Sequence, residues 1–126
     1  MGTDLRYRDI EFFKERMRDH SCVESFSQVE EVGEIVFRIN RKRGLPPVNV
    51  HLSDTYRYGL GEYLARPRSI GRGDFILIAA YAGEFDEGLV TRAWKEGIGI
   101  GRIGKLMGAL NKESVWDYRV PRDSSC

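Results

Sequence analysis

Cysteine and histidine are scarce in this chain, with two of each among 126 residues. Cys22 and Cys126 stand far apart and at no metal-ligand spacing, which excludes a disulfide framework and a zinc cluster. Two free thiols in a reducing compartment are the expectation, with a Cys22–Cys126 bridge as the lesser reading. Long apolar runs are also missing. No stretch approaches the ~20 residues of a membrane-spanning helix. The opening MGTDLRYRDIEFF is charged throughout and has no apolar signal core. A cytoplasmic protein without a membrane partner is expected. An excess of one charge is lacking too: 20 Lys and Arg face 19 Asp and Glu, a formal net charge of +1. Bulk charge therefore does not hold this chain to nucleic acid, and any such binding needs a local basic patch. There is no internal repeat and no low-complexity segment.

What is present is enough apolar residue, 41%, for one core. A single α/β domain over residues 1–120 is expected, with a flexible tail at 121–126. Its organising stretch runs from Pro47 to Phe85. Val48-Asn49-Val50-His51-Leu52 alternates with the period of a strand. Asp54 or Thr55 can then cap a helix whose stripe is Tyr56, Leu60, Tyr63 and Leu64, and which Pro67 ends. Phe75 to Ala80 is an uninterrupted apolar run, the mark of a strand covered on both faces. Strand, helix and strand make a right-handed crossover between parallel neighbours.

Around that unit, Asp9 to His20 reads as a first helix with Ile10, Phe13 and Met17 on one face. Cys22 to Val32 reads as a partly exposed strand, Gly33 as a turn, and Glu34 to Asn40 as a second strand rich in β-branched and aromatic residues. Arg41-Lys42-Arg43-Gly44 is a basic loop before the strand at Val48, so three strands form an antiparallel meander. Asp86 is a good cap for a helix with Leu89, Val90, Ala93 and Trp94 inward, and Gly97 stops it. Ile98 to Gly101 suits a short strand, Ile103 to Leu110 a last helix, and Val115 to Val120 an edge strand. The sum is an α/β sandwich around a mixed sheet.

This order resembles the αβββαβ core of the restriction-endonuclease-like, or PD-(D/E)XK, superfamily, over roughly Ile10 to Leu110. The segments from Gly73 to Ile78 and from Ala93 to Ile98 are similar to the second half of Mrr-like members. The resemblance implies an acid on the second strand and an acid–x–lysine pair on the third, holding Mg²⁺ that activates water for phosphodiester hydrolysis. On this chain Asn49 stands at the acid and His51 at the lysine, with Arg38 or Asn40 near the first acid. In the crossover helix Gly59 replaces the family's glutamine and Tyr63 stands at its tyrosine. Asparagine lacks the charge that draws a hard cation, and histidine titrates near neutral pH. The resemblance thus implies a degenerate metal site, a nucleic-acid-binding or assembly role, and no cofactor. A shifted alignment leaves Glu34, Asp54 and Glu62 as acids for an active Mg²⁺- or Mn²⁺-dependent nuclease. The catalytic candidates are Glu34, Asn49, His51 and Asp54.

Arg41, Lys42, Arg43, Arg66, Arg68 and Arg72 supply the cations, and Tyr56 a stacking ring, for contact with DNA. The bland reading of each is a solvated surface. Likewise His51 reads as a general base or as a satisfied strand histidine. Gly99-x-Gly101-x-x-Gly104 has the letters of a dinucleotide fingerprint, but without the large following sheet it reads as a tight turn with close helix packing. A third reading is a structural homodimer joined through an apolar patch at Trp116 and Tyr118.

Overall fold

The computed structural model describes residues 7–79 and 83–118. The chain runs α1 (Tyr7–Asp19), β1 (Val23–Val29), β2 (Ile35–Arg41), β3 (Val48–Ser53), β4 (Arg57–Tyr58), α2 (Leu60–Leu64), β5 (Phe75–Ile78), β6 (Glu84–Phe85), α3 (Glu87–Lys95), β7 (Gly99–Gly101) and α4 (Ile103–Ala109), then a single 3-10 turn, Val115–Asp117. Five strands form one mixed sheet in the order β1-β2-β3-β5-β7. β1, β2 and β3 are an antiparallel meander, while β5 and β7 run parallel to β3. The mixed α/β class and the β3–β5 crossover are as expected from the sequence.

The strand alternation sets the two faces. Val48, Val50 and Leu52 of β3 point into one core with Phe13 and Met17 of α1 and Leu106 and Ala109 of α4. The Phe13 and Phe37 rings meet there at 5.1 Å. Ile76 and Ile78 of β5 point into the other core, with Tyr58, Tyr63 of α2, and Leu89 and Ala93 of α3. Asn49, His51 and Ser53 face this second side, because successive side chains of a strand alternate. β5 is buried at every position, which is why it reads as an unbroken apolar run. His20, just after α1, ties that helix to α4 within the first layer. Cys22 N–H donates to its Nδ1 (3.0 Å), which fixes the proton on Nε2, and Nε2–H donates to Met107 O of α4 at 2.7 Å.

Several local expectations change. The crossover helix is one short turn, because β4 intervenes and pairs in parallel with β6 as a separate two-stranded sheet. Tyr63 is inward as the stripe expects, Tyr58 joins it, and Tyr56, Leu60 and Leu64 are exposed. Gly59, not Asp54 or Thr55, starts the helix, and its N–H donates to Glu62 Oε1 at 2.8 Å. Trp94 is 41% exposed rather than core, and Val115 begins a 3-10 turn rather than a strand. Arg41 ends β2 instead of opening the loop, and only 5% of it is exposed. The tail expected at 121–126 lies outside the described residues, as do Ala80, Arg119 and Val120. Among the described residues no helix is long and apolar enough to cross a membrane.

Candidate functional site

Register brings the candidate residues together on the second face of the sheet. Asn49 of β3 pairs with Arg38 of β2, and His51 pairs with Val36. Glu34, just before β2, therefore reaches the same face, and its Oε1 lies 2.8 Å from His51 Nε2. The histidine is 6% exposed, so the carboxylate is the polar group that accepts from its ring. Asp54 follows β3 and makes no hydrogen bond or ion pair among the described residues. Glu34 is thus turned toward the imidazole, and Glu62 is spent on the start of α2.

Asn49 is held from two sides. Its backbone N–H donates to Asp74 Oδ1 at 2.9 Å and its amide Nδ2 donates to Ser69 O at 3.0 Å. Ser69 Oγ in turn donates to Glu31 Oε1 at 2.7 Å. Asp74 also receives Gly71 N–H at 2.8 Å, so one carboxylate pins the loop before β5 to the start of β3. Burial pushes its carboxyl above the usual range, against the pull of those two N–H groups and the Arg38 guanidinium. The sequence reading missed Asp74; the signal was an acid at a glycine-bearing turn directly before a buried strand.

The far side of the site is phenolic. Tyr63 Oη donates to Glu96 Oε1, and Arg66 lies over the Tyr63 ring at 4.6 Å. Burial and the Glu96 bond push the Tyr63 hydroxyl up to about 12. Burial also lifts Tyr58 well above its ordinary range, with Glu62, Tyr63 and Glu34 adding to the rise and Arg66 opposing it. Both phenols hold their protons more tightly folded than unfolded. Their contribution to stability is present below the ordinary pKa of 10.0 and is lost as pH rises through about 12 for Tyr63. Alkaline titration of the chain's six tyrosines by phenolate absorbance should show a late-ionising fraction, and Tyr58→Phe with Tyr63→Phe should remove it. Ionisation of all six at the free-tyrosine position would refute the packing described.

Three buried side-chain atoms, Asn49 Oδ1, His51 Nδ1 and Tyr58 Oη, have no hydrogen-bond partner among the described residues. Orphaned buried polar atoms are uncommon, and each calls for an explanation beyond packing. Among the described residues no group of three or more His, Cys, Asp or Glu is assembled to hold a metal ion. A hard divalent cation takes several oxygen ligands, carboxylates first. Here the two β3 positions offer an amide and an imidazole, and of the carboxylates beside them Glu34 is hydrogen-bonded to that imidazole and Asp74 to the backbone N–H groups of Asn49 and Gly71.

The basic residues divide. Arg41 is internal: Nε donates to Pro46 O (2.8 Å), one Nη to Leu110 O (3.0 Å) and Lys112 O (2.6 Å), and the other to Glu113 O (3.3 Å). Arg66 donates to Ile70 O and Tyr63 O, both at 3.1 Å. Arg72 packs on Gly97 and lies over the Trp116 ring at 5.2 Å. Lys42, Arg43 and Arg68 are exposed, and so is Arg38 on the site's own face. Ser25 and Asn40 of the adjoining strands share that face, Asn40 Nδ2 donating to Ser25 Oγ at 3.0 Å. Exposed Tyr56 follows the far end of β3, away from the Lys42–Arg43 turn. Compared with protein-family models, curated proteins and solved structures, the chain matches none.

Proposed function

We propose that this chain is a restriction-endonuclease-like domain whose metal site has become a hydrogen-bonded network of protein groups, and that it binds DNA without cutting it. The observation that carries the reading is the pair Asn49 and His51, side by side on β3, each tied to a protein partner. The antiparallel meander followed by parallel strands agrees with the order of that superfamily's core. In this reading Arg38, Lys42 and Arg43 meet phosphate oxygens. Ser25, Ser27 and Asn40 supply neutral hydrogen-bonding groups beside them. Such contacts position a duplex and carry no sequence information by themselves.

The test is fluorescence anisotropy of labelled duplex and single-stranded DNA at two salt concentrations, in EDTA or Mn²⁺, with the same tubes then run on a gel. Salt-sensitive binding without cleavage is expected. Mn²⁺-dependent cleavage that is lost in Glu34→Ala or Asp54→Ala would establish an active nuclease using displaced acids instead. Absence of binding would overturn the DNA reading and leave a homodimeric scaffold to be sought by sedimentation.

A further inference from the structure

A groove of about 690 Å³ opens at the carboxyl end of β7, between α3, the start of α4 and the 3-10 turn. Its volume lies in the range of small-molecule sites. Both tryptophans of the chain line it. Trp94 Nε1–H donates to Asp117 Oδ1 at 2.8 Å, which fixes that indole against the 3-10 turn. Phe85 forms another wall, and the Arg102 guanidinium lies over its ring at 5.7 Å. Arg102 spends one nitrogen on Gly83 O, and a guanidinium has further N–H donors to offer an anion. Two glycines of the motif noted in the sequence, Gly101 and Gly104, line the groove, and Gly99 precedes them in β7. A Cβ at Gly99 would lie 2.6 Å from the Phe75 ring, so only glycine lets β7 approach β5 there. A Cβ at Gly104 would meet nothing within 4 Å, because that helix position faces open space.

We propose that this groove binds a nucleobase carrying a phosphate, the base lying against the tryptophans and the anion meeting Arg102. Every base has a π-face, and stacking on aromatic side chains is sequence-tolerant. Glu87 and Asp117 at the rim supply the acceptors that a base's amino edge requires, and they disfavour an anion without such an edge. The proposal goes beyond the sheet-face reading and does not depend on it, since the groove lies on other elements. A free mononucleotide and an unpaired base within a strand share this chemistry.

Because both tryptophans line the groove, intrinsic fluorescence reads occupancy directly. Wild type, Gly104→Leu and the Arg38→Ala/Lys42→Ala/Arg43→Ala variant are titrated with AMP, adenosine, ribose 5-phosphate and a short single-stranded oligonucleotide. Saturable quenching by AMP identifies the free nucleotide as ligand, and quenching by the oligonucleotide alone identifies the unpaired base. Gly104→Leu fills the groove and should weaken that quenching at least about tenfold, the size of one lost stacking contact. Its thermal midpoint should be unchanged or higher, since leucine is the better helix former. The triple sheet-face variant should quench as wild type does, even if its duplex binding is lost. Quenching by neither ligand, equal quenching in Gly104→Leu, or adenosine and ribose 5-phosphate each matching AMP would overturn the proposal.

Discussion

Arg41→Met should destabilise the fold by about 3 kcal/mol or more, measured as a lowered urea midpoint with an unchanged denaturant slope. The guanidinium is buried and donates to four carbonyls, of Pro46, Leu110, Lys112 and Glu113. It therefore joins the end of β2 to its own hairpin turn and to the segment after α4. Methionine fills comparable space but donates nothing, so the buried Leu110 carbonyl and three part-buried carbonyls lose their partner. Each such loss costs about 1–3 kcal/mol where water does not enter. Arg41→Lys should fall between, because a lysine head is a single point of donation and lacks the planar fork. Burial already draws the guanidinium's pKa below its ordinary value, as expected for a cation whose partners are neutral carbonyls. A Met variant as stable as wild type would show that these contacts contribute little.

Removing the exposed cations should have the opposite signature: a small effect on stability and a large one on binding. Arg38, Lys42 and Arg43 are solvent-facing, and exposed charges away from special features usually change stability by no more than about 0.5 kcal/mol each. If the three side chains meet phosphates, each releases about one counterion on binding. The slope of log K against log salt should then flatten by roughly three in Arg38→Ala/Lys42→Ala/Arg43→Ala. Affinity at low salt should fall by at least about tenfold. Arg38 is the informative member, because it stands opposite Asn49 on the sheet face. Arg38→Ala alone should weaken binding more than Arg68→Ala if the duplex lies over β2 and β3. Equal binding by the triple variant and wild type would place the interface elsewhere.

The meander and the crossover were legible because their signals are local. The alternation from Val48 to Leu52 and the apolar run at Phe75 each report burial within a few residues. What escaped depended on partners distant in sequence. Tyr56, Leu60, Tyr63 and Leu64 have helical spacing, yet β4 pairs with β6, 27 positions on at Arg57↔Glu84, so of that stripe Tyr63 alone is buried and Tyr58 joins it. Arg41 has the look of one of three loop cations, and three of its four carbonyl partners lie 69 to 72 residues downstream. Glu34 and His51 were both named as candidates, but their contact comes from the β2–β3 register. Nothing in either local segment encodes it. Asp74 organises Asn49 from the start of the neighbouring strand, which no pattern around Asn49 announces. Of the Gly99-x-Gly101-x-x-Gly104 motif, close packing holds at Gly99 against Phe75 and not at Gly104, which faces open space. The groove beside it was not legible, since Trp94, Trp116 and Phe85 come from separate segments.

The central claim is that DNA lies on the open half of the sheet's second face, above a metal-free Asn49–His51 pair. The most direct test is chemical-shift mapping of ¹⁵N-labelled protein titrated with a short duplex in EDTA. Perturbed amides are expected at Ser25, Ser27, Arg38, Asn40, Lys42, Arg43 and Asn49, with α1 and α4 silent. Shifts confined to α1, α4 or the exposed Leu60–Leu64 surface would contradict it, as would a spectrum that the duplex leaves unchanged.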